Sequence, residues 1–89
     1  MNARDLERVL KAAGNRRRIL ILRYLKKNGA ASVGDISFEV DVSLKATSKH
    51  LGVLLAAGFL ERDQRGYQAF YRIARELPPF VKTLLSTLV

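Results

Sequence analysis

Between Ser43 and His50 the chain reads SLKATSKH, and a short apolar stretch follows. On a helix, residues three and four apart share a face. Leu44, Lys45, Ser48, Lys49 and Gly52 therefore line one side, while Thr47, Leu51, Leu54 and Gly58 line the other, with Thr47 turned inward. Amines, a hydroxyl and an imidazole at this spacing suit polyanion recognition. Lysine donates to guanine acceptors, serine pairs with several base edges, and the amide-rich start of a helix suits a phosphate. Ser43, Lys45, Ser48, Lys49 and His50 are the candidate contacts. For any one of them the competing reading is a solvated helix face.

Something must hold that helix with one face outward. Leu6, Val9, Leu10 and Ala13 recur at helical spacing and predict a first helix ending at Gly14. Asn15 can cap a second helix that begins Arg16-Arg17-Arg18 and carries Ile21, Leu22, Tyr24 and Leu25, with Lys26, Lys27, Asn28 and Gly29 at its end. Ser32 and Asp35 have capping-box spacing before Val33, Ile36 and Val40, which predicts a short third helix. After a brief interruption at Asp41-Val42, Ser43 can cap a fourth helix, over residues 43–57, that Gly58 stops in a left-handed conformation. Two such helices with a tight turn, over about 32–57, match a helix-turn-helix.

From Phe59 the period changes to alternation. Leu60, Arg62 and Gln64 alternate with Phe59, Glu61 and Asp63; beyond Arg65-Gly66, Tyr67, Ala69, Tyr71 and Ile73 alternate with Gln68, Phe70 and Arg72. This predicts a β-hairpin over about 59–73. Pro78-Pro79 can open a last helix with Val81, Leu84, Leu85 and Leu88 on one face. The expected architecture is mainly α, in the order α-α-α-α-β-β-α, as one domain over 1–89. Arg62, Gln64, Arg65 and Gln68 surround the hairpin tip and can reach phosphates or a minor groove. Arg16 and Arg17 can grip the backbone from the other side. Arg18 either joins them or pairs with Asp35 or Glu39.

Composition bounds the chemistry. The 89 residues carry 16 Lys+Arg against 8 Asp+Glu, a net charge of +8, which favours nucleic acid first and an anionic membrane surface second. With no cysteine there is neither a disulfide framework nor a thiolate, and with one histidine there is no multidentate imidazole site, so no metal or cofactor is expected. Asp35 and Glu39 are better explained by capping and solvation than by acid–base chemistry, so no catalysis is expected. No apolar run is long enough to span a bilayer, and the charged start has no signal-peptide character. A cytoplasmic location is the expectation.

The segments GNRRRIL, SVGDI, VSLKATSKHLGVLLAAGFLERDQRG and AFYRI resemble the ArsR-like winged helix-turn-helix transcription factors, from about Leu6 to about Leu85. The most specific part is Ser48-Lys49-His50-Leu51 followed by Leu54, Ala57-Gly58 and Leu60. The resemblance implies a recognition helix in the major groove, a wing along the backbone with Arg65 at its tip, and terminal helices that pair two subunits. It makes Leu6, Val9, Leu10, Val81, Leu84, Leu85 and Leu88 the interface candidates. Many metal-sensing members carry Cys-Val-Cys where this chain has Ser32-Val33-Gly34. Leu44 and Gly52 stand where polar or basic residues are frequent, so base preference should differ. The expectation is a homodimeric, sequence-specific double-stranded DNA-binding regulator, a repressor, with a small molecule, a partner protein or nothing as effector. The alternative is a winged-helix module that docks proteins.

Overall fold

The computed structural model describes residues 1–89, and side-chain caps set its helix starts. Asn2 accepts from the Asp5 amide at 2.8 Å and opens α1 (Ala3–Ala13). Asn15 accepts from the Arg18 amide at 3.1 Å and opens α2 (Arg16–Asn28). Ser32 does the same for α3 (Val33–Val40) and Ser43 for α4 (Leu44–Ala56), through the amides of Asp35 and Ala46. Each cap satisfies an amide that the first turn of a helix leaves unpaired.

Asp41, in the left-handed region at φ 55°, begins the link from α3 to α4. Aspartate tolerates that conformation better than most side chains. The Ser37 hydroxyl donates to the Val42 carbonyl, the Val42 amide donates back to the Ser37 carbonyl at 3.2 Å, and the Thr47 hydroxyl donates to Val42 at 3.4 Å. Thr47 is fully buried, and so its inward placement holds. At the other end of α4, Gly58 has φ 83°, its amide reaches the Leu55 carbonyl, and the Phe59 amide reaches Leu54, both at 3.0 Å. That is the Schellman stop.

A short strand β1 (Ala31–Ser32) precedes α3, and β2 (Leu60–Arg65) and β3 (Gln68–Ile73) form the hairpin. The sheet order is β1-β3-β2, all antiparallel, with Ala31 opposite Tyr71 and Leu60 opposite Ile73. The order is therefore α-α-β-α-α-β-β-α, one strand more than the pattern predicts. Two residues cannot display an alternation, and β1 exists only because β3 supplies its partners. The pairing of Arg65 with Gln68 leaves Gly66-Tyr67 as the loop, with positive φ (62°) at glycine alone, as a type II′ turn requires. Tyr67 therefore belongs to the turn and not to the strand. A last helix, α5 (Pro79–Ser86), has Pro78 at its cap.

The core joins Ile21, Leu22 and Leu25 of α2 to Ile36 of α3, Leu51 and Leu54 of α4, and Phe59, Leu60 and Tyr71 of the sheet. Val9 and Ala12 of α1 and Val81 and Leu85 of α5 close it from the chain ends. Outside the core, the Arg72 guanidinium bridges Glu61, at 2.8 Å, and Asp63 across the hairpin. The hydrogen bond that Arg72 donates to Asp63 foremost holds the Arg72 pKa above its ordinary value. These charge-assisted bonds tie β2 to β3 even though the guanidinium's Nε is buried without a partner. No helix is long and apolar enough to cross a membrane.

Two substitutions in α4 test which face is inward. Leu54 is completely buried, and Leu54→Ala should lower unfolding free energy by about 2–5 kcal/mol. Gly52 is exposed, with nothing within 4 Å of the point that a β-carbon would occupy, so Gly52→Ala should raise it by roughly 0.5–1 kcal/mol. Urea denaturation of both variants checks the pair; equal effects would mean that the face is misassigned.

Candidate nucleic-acid interface

Because Thr47, Leu51 and Leu54 point into the core, the first turns of α4 must present their other side to solvent. Lys45, Ser48 and Lys49 are exposed there, and neither lysine is in an ion pair of the chain. No acidic residue occurs between Leu44 and Ala56. Both amines are thus free to meet an anion. The Ser43 side chain is already engaged: its oxygen caps Ala46 at 3.1 Å, which leaves the hydroxyl hydrogen free to donate. Leu44, 60% exposed, adds an apolar side chain at the same end.

Burial of Ile21, Leu22 and Leu25 sets the rotation of α2 and with it the direction of each arginine at its start. Arg16 and Arg17 are exposed; Arg18 turns inward. It pairs with neither Asp35 nor Glu39. Its Nε donates to the Ala12 carbonyl at 2.7 Å, one terminal nitrogen donates to the Lys11 carbonyl at 3.2 Å, and the other lies 3.2 Å from Nδ1 of His50. A guanidinium cannot accept, so His50 Nδ1 is the acceptor and the imidazole is neutral with its proton on Nε2. Desolvation by burial, then the charges of Arg18, Arg17 and Lys49, push the His50 pKa below 6.5. His50 is half-buried, and of the predicted recognition-helix contacts it is the one fastened to another element.

At the hairpin tip the side chains order one another. Arg62 donates to Gln64 at 3.0 Å, and Gln64 donates to the Gly66 carbonyl at 3.0 Å. The Arg65 guanidinium sits 5.1 Å from the centre of the Phe70 ring, within cation–π range. Arg62, Arg65 and Gln68 are all exposed. Tyr67, fully exposed at the tip, joins them although its place in the alternating pattern pointed elsewhere. The signal for it was the glycine before it, which starts a loop too short to return Tyr67 to the sheet.

The terminal helices divide. Val9, Val81 and Leu85 are buried inside the single chain, so they are core residues and not free interface residues. Leu84 and Leu88 are half-buried against that core. Leu6 and Leu10 remain 38% and 47% exposed, and with Met1, Pro78, Pro79 and Phe80 they line an apolar cleft between α1 and the start of α5. Lys26, near the end of α2, caps α5 instead of its own helix: its amine donates to the Leu85 and Leu88 carbonyls at 2.9 and 2.8 Å. No group of three or more His, Cys, Asp or Glu side chains comes together in a way that could hold a metal ion.

A helix-turn-helix carrying a basic outer face, with a two-stranded wing behind it, defines a winged helix-turn-helix protein. Residues 15–62 match the model of the bacterial regulatory protein arsR family, and the chain belongs to that family. It is similar to the HTH-type transcriptional repressor AllR of Escherichia coli, 46% identical over 50 residues, which are 55% of this chain but only 18% of that protein. In structure it is similar to reduced HlyU from Vibrio cholerae, with a TM-score of 0.81, 30% identity, and coverage of 98% of this chain and 87% of that one. It is also similar to Mb0332 from Mycobacterium bovis, described as a homodimeric winged helix-turn-helix DNA-binding domain. That likeness has a TM-score of 0.80 and 31% identity, over 93% of this chain and 73% of the other. AllR is thus a transcriptional repressor, and Mb0332 a possible ArsR-family transcriptional regulator.

The lowered His50 pKa makes stability depend on pH. Because the folded state disfavours the imidazolium, the His50 contribution is complete above 6.5 and is lost as pH falls from 6.5 through the lowered value. Denaturant unfolding of the native chain and of His50→Gln across this window should show a pH-dependent gap that narrows on the acid side. A gap independent of pH would show that the imidazole is not held neutral.

Proposed function

We propose that this chain is a sequence-specific double-stranded DNA-binding regulator that acts as a homodimeric repressor, with α4 in the major groove. The observation that carries this is the outer face of α4, where Lys45, Ser48 and Lys49 are exposed and free of intramolecular ion pairs over a buried Thr47-Leu51-Leu54 stripe. Lys45 and Ser48 read base edges; Lys49, His50 and the Ser43 hydroxyl meet phosphates near the helix start. Arg62, Arg65, Gln68 and Tyr67 at the wing tip, and Arg16 and Arg17 at the start of α2, hold the backbone on either side. Occupying a promoter in this way excludes polymerase. The repressor AllR and the homodimeric Mb0332 domain support this reading by likeness.

The dimer rests on a narrower surface than the full stripes of α1 and α5. Leu6, Leu10, Met1 and Phe80 leave an apolar patch that a second copy covers, with Leu84 and Leu88 at its margin. A two-fold pair puts recognition helices into successive major grooves, with half-sites about 10 base pairs or a multiple apart. No metal or cofactor enters this proposal, nor does catalysis, and we place the protein in the cytoplasm. Leu44 and Phe38, 60% and 87% exposed, favour a second reading in which the same helices dock a protein.

Affinity for a duplex selected from genomic fragments should fall steeply with salt, and Lys49→Ala and Arg65→Ala should each flatten the logarithmic slope by about one unit. Salt-independent binding, or none at low salt, would favour protein docking. Lys45→Ala and Ser48→Ala should each cost about 1–3 kcal/mol on that duplex and less on random DNA. For assembly, Leu6→Glu with Leu10→Glu should leave a folded 10.0 kDa monomer in sedimentation where the native chain is a dimer. A native monomer that grips one half-site tightly would remove the dimer from the proposal.

A further inference from the structure

The last four carbonyls of a helix have no partner within it. In α1 all four are met: Leu10 by the Gly14 amide at 2.8 Å, Ala13 by the Asn15 amide at 2.9 Å, and Lys11 and Ala12 by Arg18 at 3.2 and 2.7 Å. One guanidinium therefore closes half of the α1 end. Its remaining terminal nitrogen does not point to solvent; it stands 3.2 Å from His50 Nδ1 on α4. A planar fork of fixed geometry engages all three acceptors at once, so rotation or sliding of α4 against α1 breaks at least one of these bonds. No other side-chain hydrogen bond in the structure joins α1 or α2 to α4. The apolar residues between α4 and its neighbours resist separation but allow small slips, whereas a directional bond to a cation does not.

We propose that Arg18 is a positioning residue, fixing the angle of the recognition helix against the carboxyl end of α1 by way of His50. The role matters because α1 carries the exposed Leu6 and Leu10, and α4 carries Lys45, Ser48 and Lys49. Whatever covers the α1 surface is thereby mechanically connected to the face that meets the ligand. Arg18 itself touches no base or phosphate. Its effect on recognition rests on the DNA-binding proposal; its hold on α4 does not.

The link is tested first without DNA. In Arg18→Gln the His50 titration, followed by NMR, should move back toward 6.5, and amide exchange should accelerate along the first half of α4 while α3 stays protected. An unmoved titration and unchanged exchange would overturn the proposal, whatever the protein binds. Arg18→Lys keeps the charge but cannot span the three acceptors. On the selected duplex both variants should lose selectivity over random DNA by roughly tenfold, with the salt slope unchanged. Rescue by lysine, or a slope reduced by about one unit, would make Arg18 a phosphate contact and overturn the positioning role. A lower melting temperature with full selectivity would make it a helix cap alone and overturn that role equally. His50→Leu breaks the link from the other side, so its loss and that of Arg18→Gln should not add in the double variant. Additive losses would show that Arg18 does not act through His50. If the native chain bound no duplex at all, the proposed function would fail, and the titration and exchange would still decide the link.

Discussion

The burial of Thr47, Leu51 and Leu54 is the constraint from which the rest follows. Each is 0% exposed, which sets the face that α4 turns inward and leaves it only small slips. Turning it by one residue would put Ser48 or Gly52 into the core and lose contacts worth about 2–5 kcal/mol per leucine. The hydroxyl of Thr47 tightens this further, since it can be buried only where the Val42 carbonyl meets it. A helix fixed in this way has to show Lys45, Ser48 and Lys49 to solvent. The α3–α4 turn, with Asp41 left-handed and Ser37 joined to Val42, then sets where along the surface that face begins.

Charge is distributed to match. The chain carries a net +8, yet acidic side chains are not absent; they are placed. Glu61 and Asp63 are engaged by Arg72 within the hairpin, and Asp5 pairs with Arg8 on α1 at 2.8 Å. None falls on α4. Surface pairs such as Asp5–Arg8 contribute little to stability. Lys45 and Lys49 of α4, Arg16 and Arg17 at the start of α2, and Arg62 and Arg65 of the wing are left outside every ion pair, so a polyanion meeting them gains from displacing counterions.

Helix limits were legible because they depend on neighbours in sequence. Asn15, Ser32 and Ser43 each cap the helix that their position predicts, and Gly58 ends α4 in the left-handed conformation. What depended on distant partners was not legible. Strand β1 is made by residues 70 and 71, about forty positions away, and has no period of its own. Helical spacing from Ile21, Leu22 and Leu25 turns Arg18 toward the inner face of α2, but its partners, the Lys11 and Ala12 carbonyls and His50, lie on other elements that no local rule brings to it. The same holds for the terminal stripes: Val9 and Leu10 are adjacent and equally apolar, but only the tertiary fold decides that the first is core and the second is exposed. Tyr67 fits the strand pattern and yet lies in the turn, because an alternating pattern runs through a tight turn without interruption.

The central claim is that the outer face of α4 and the wing tip meet duplex DNA. The most direct measurement is amide chemical-shift mapping of the chain as a selected duplex is added. Shifts concentrated at residues 43–52 and 64–68, with α3 near Phe38 undisturbed, are the expected result. Shifts centred on Phe38 and Leu44, or elicited by a protein and by no duplex, would contradict it.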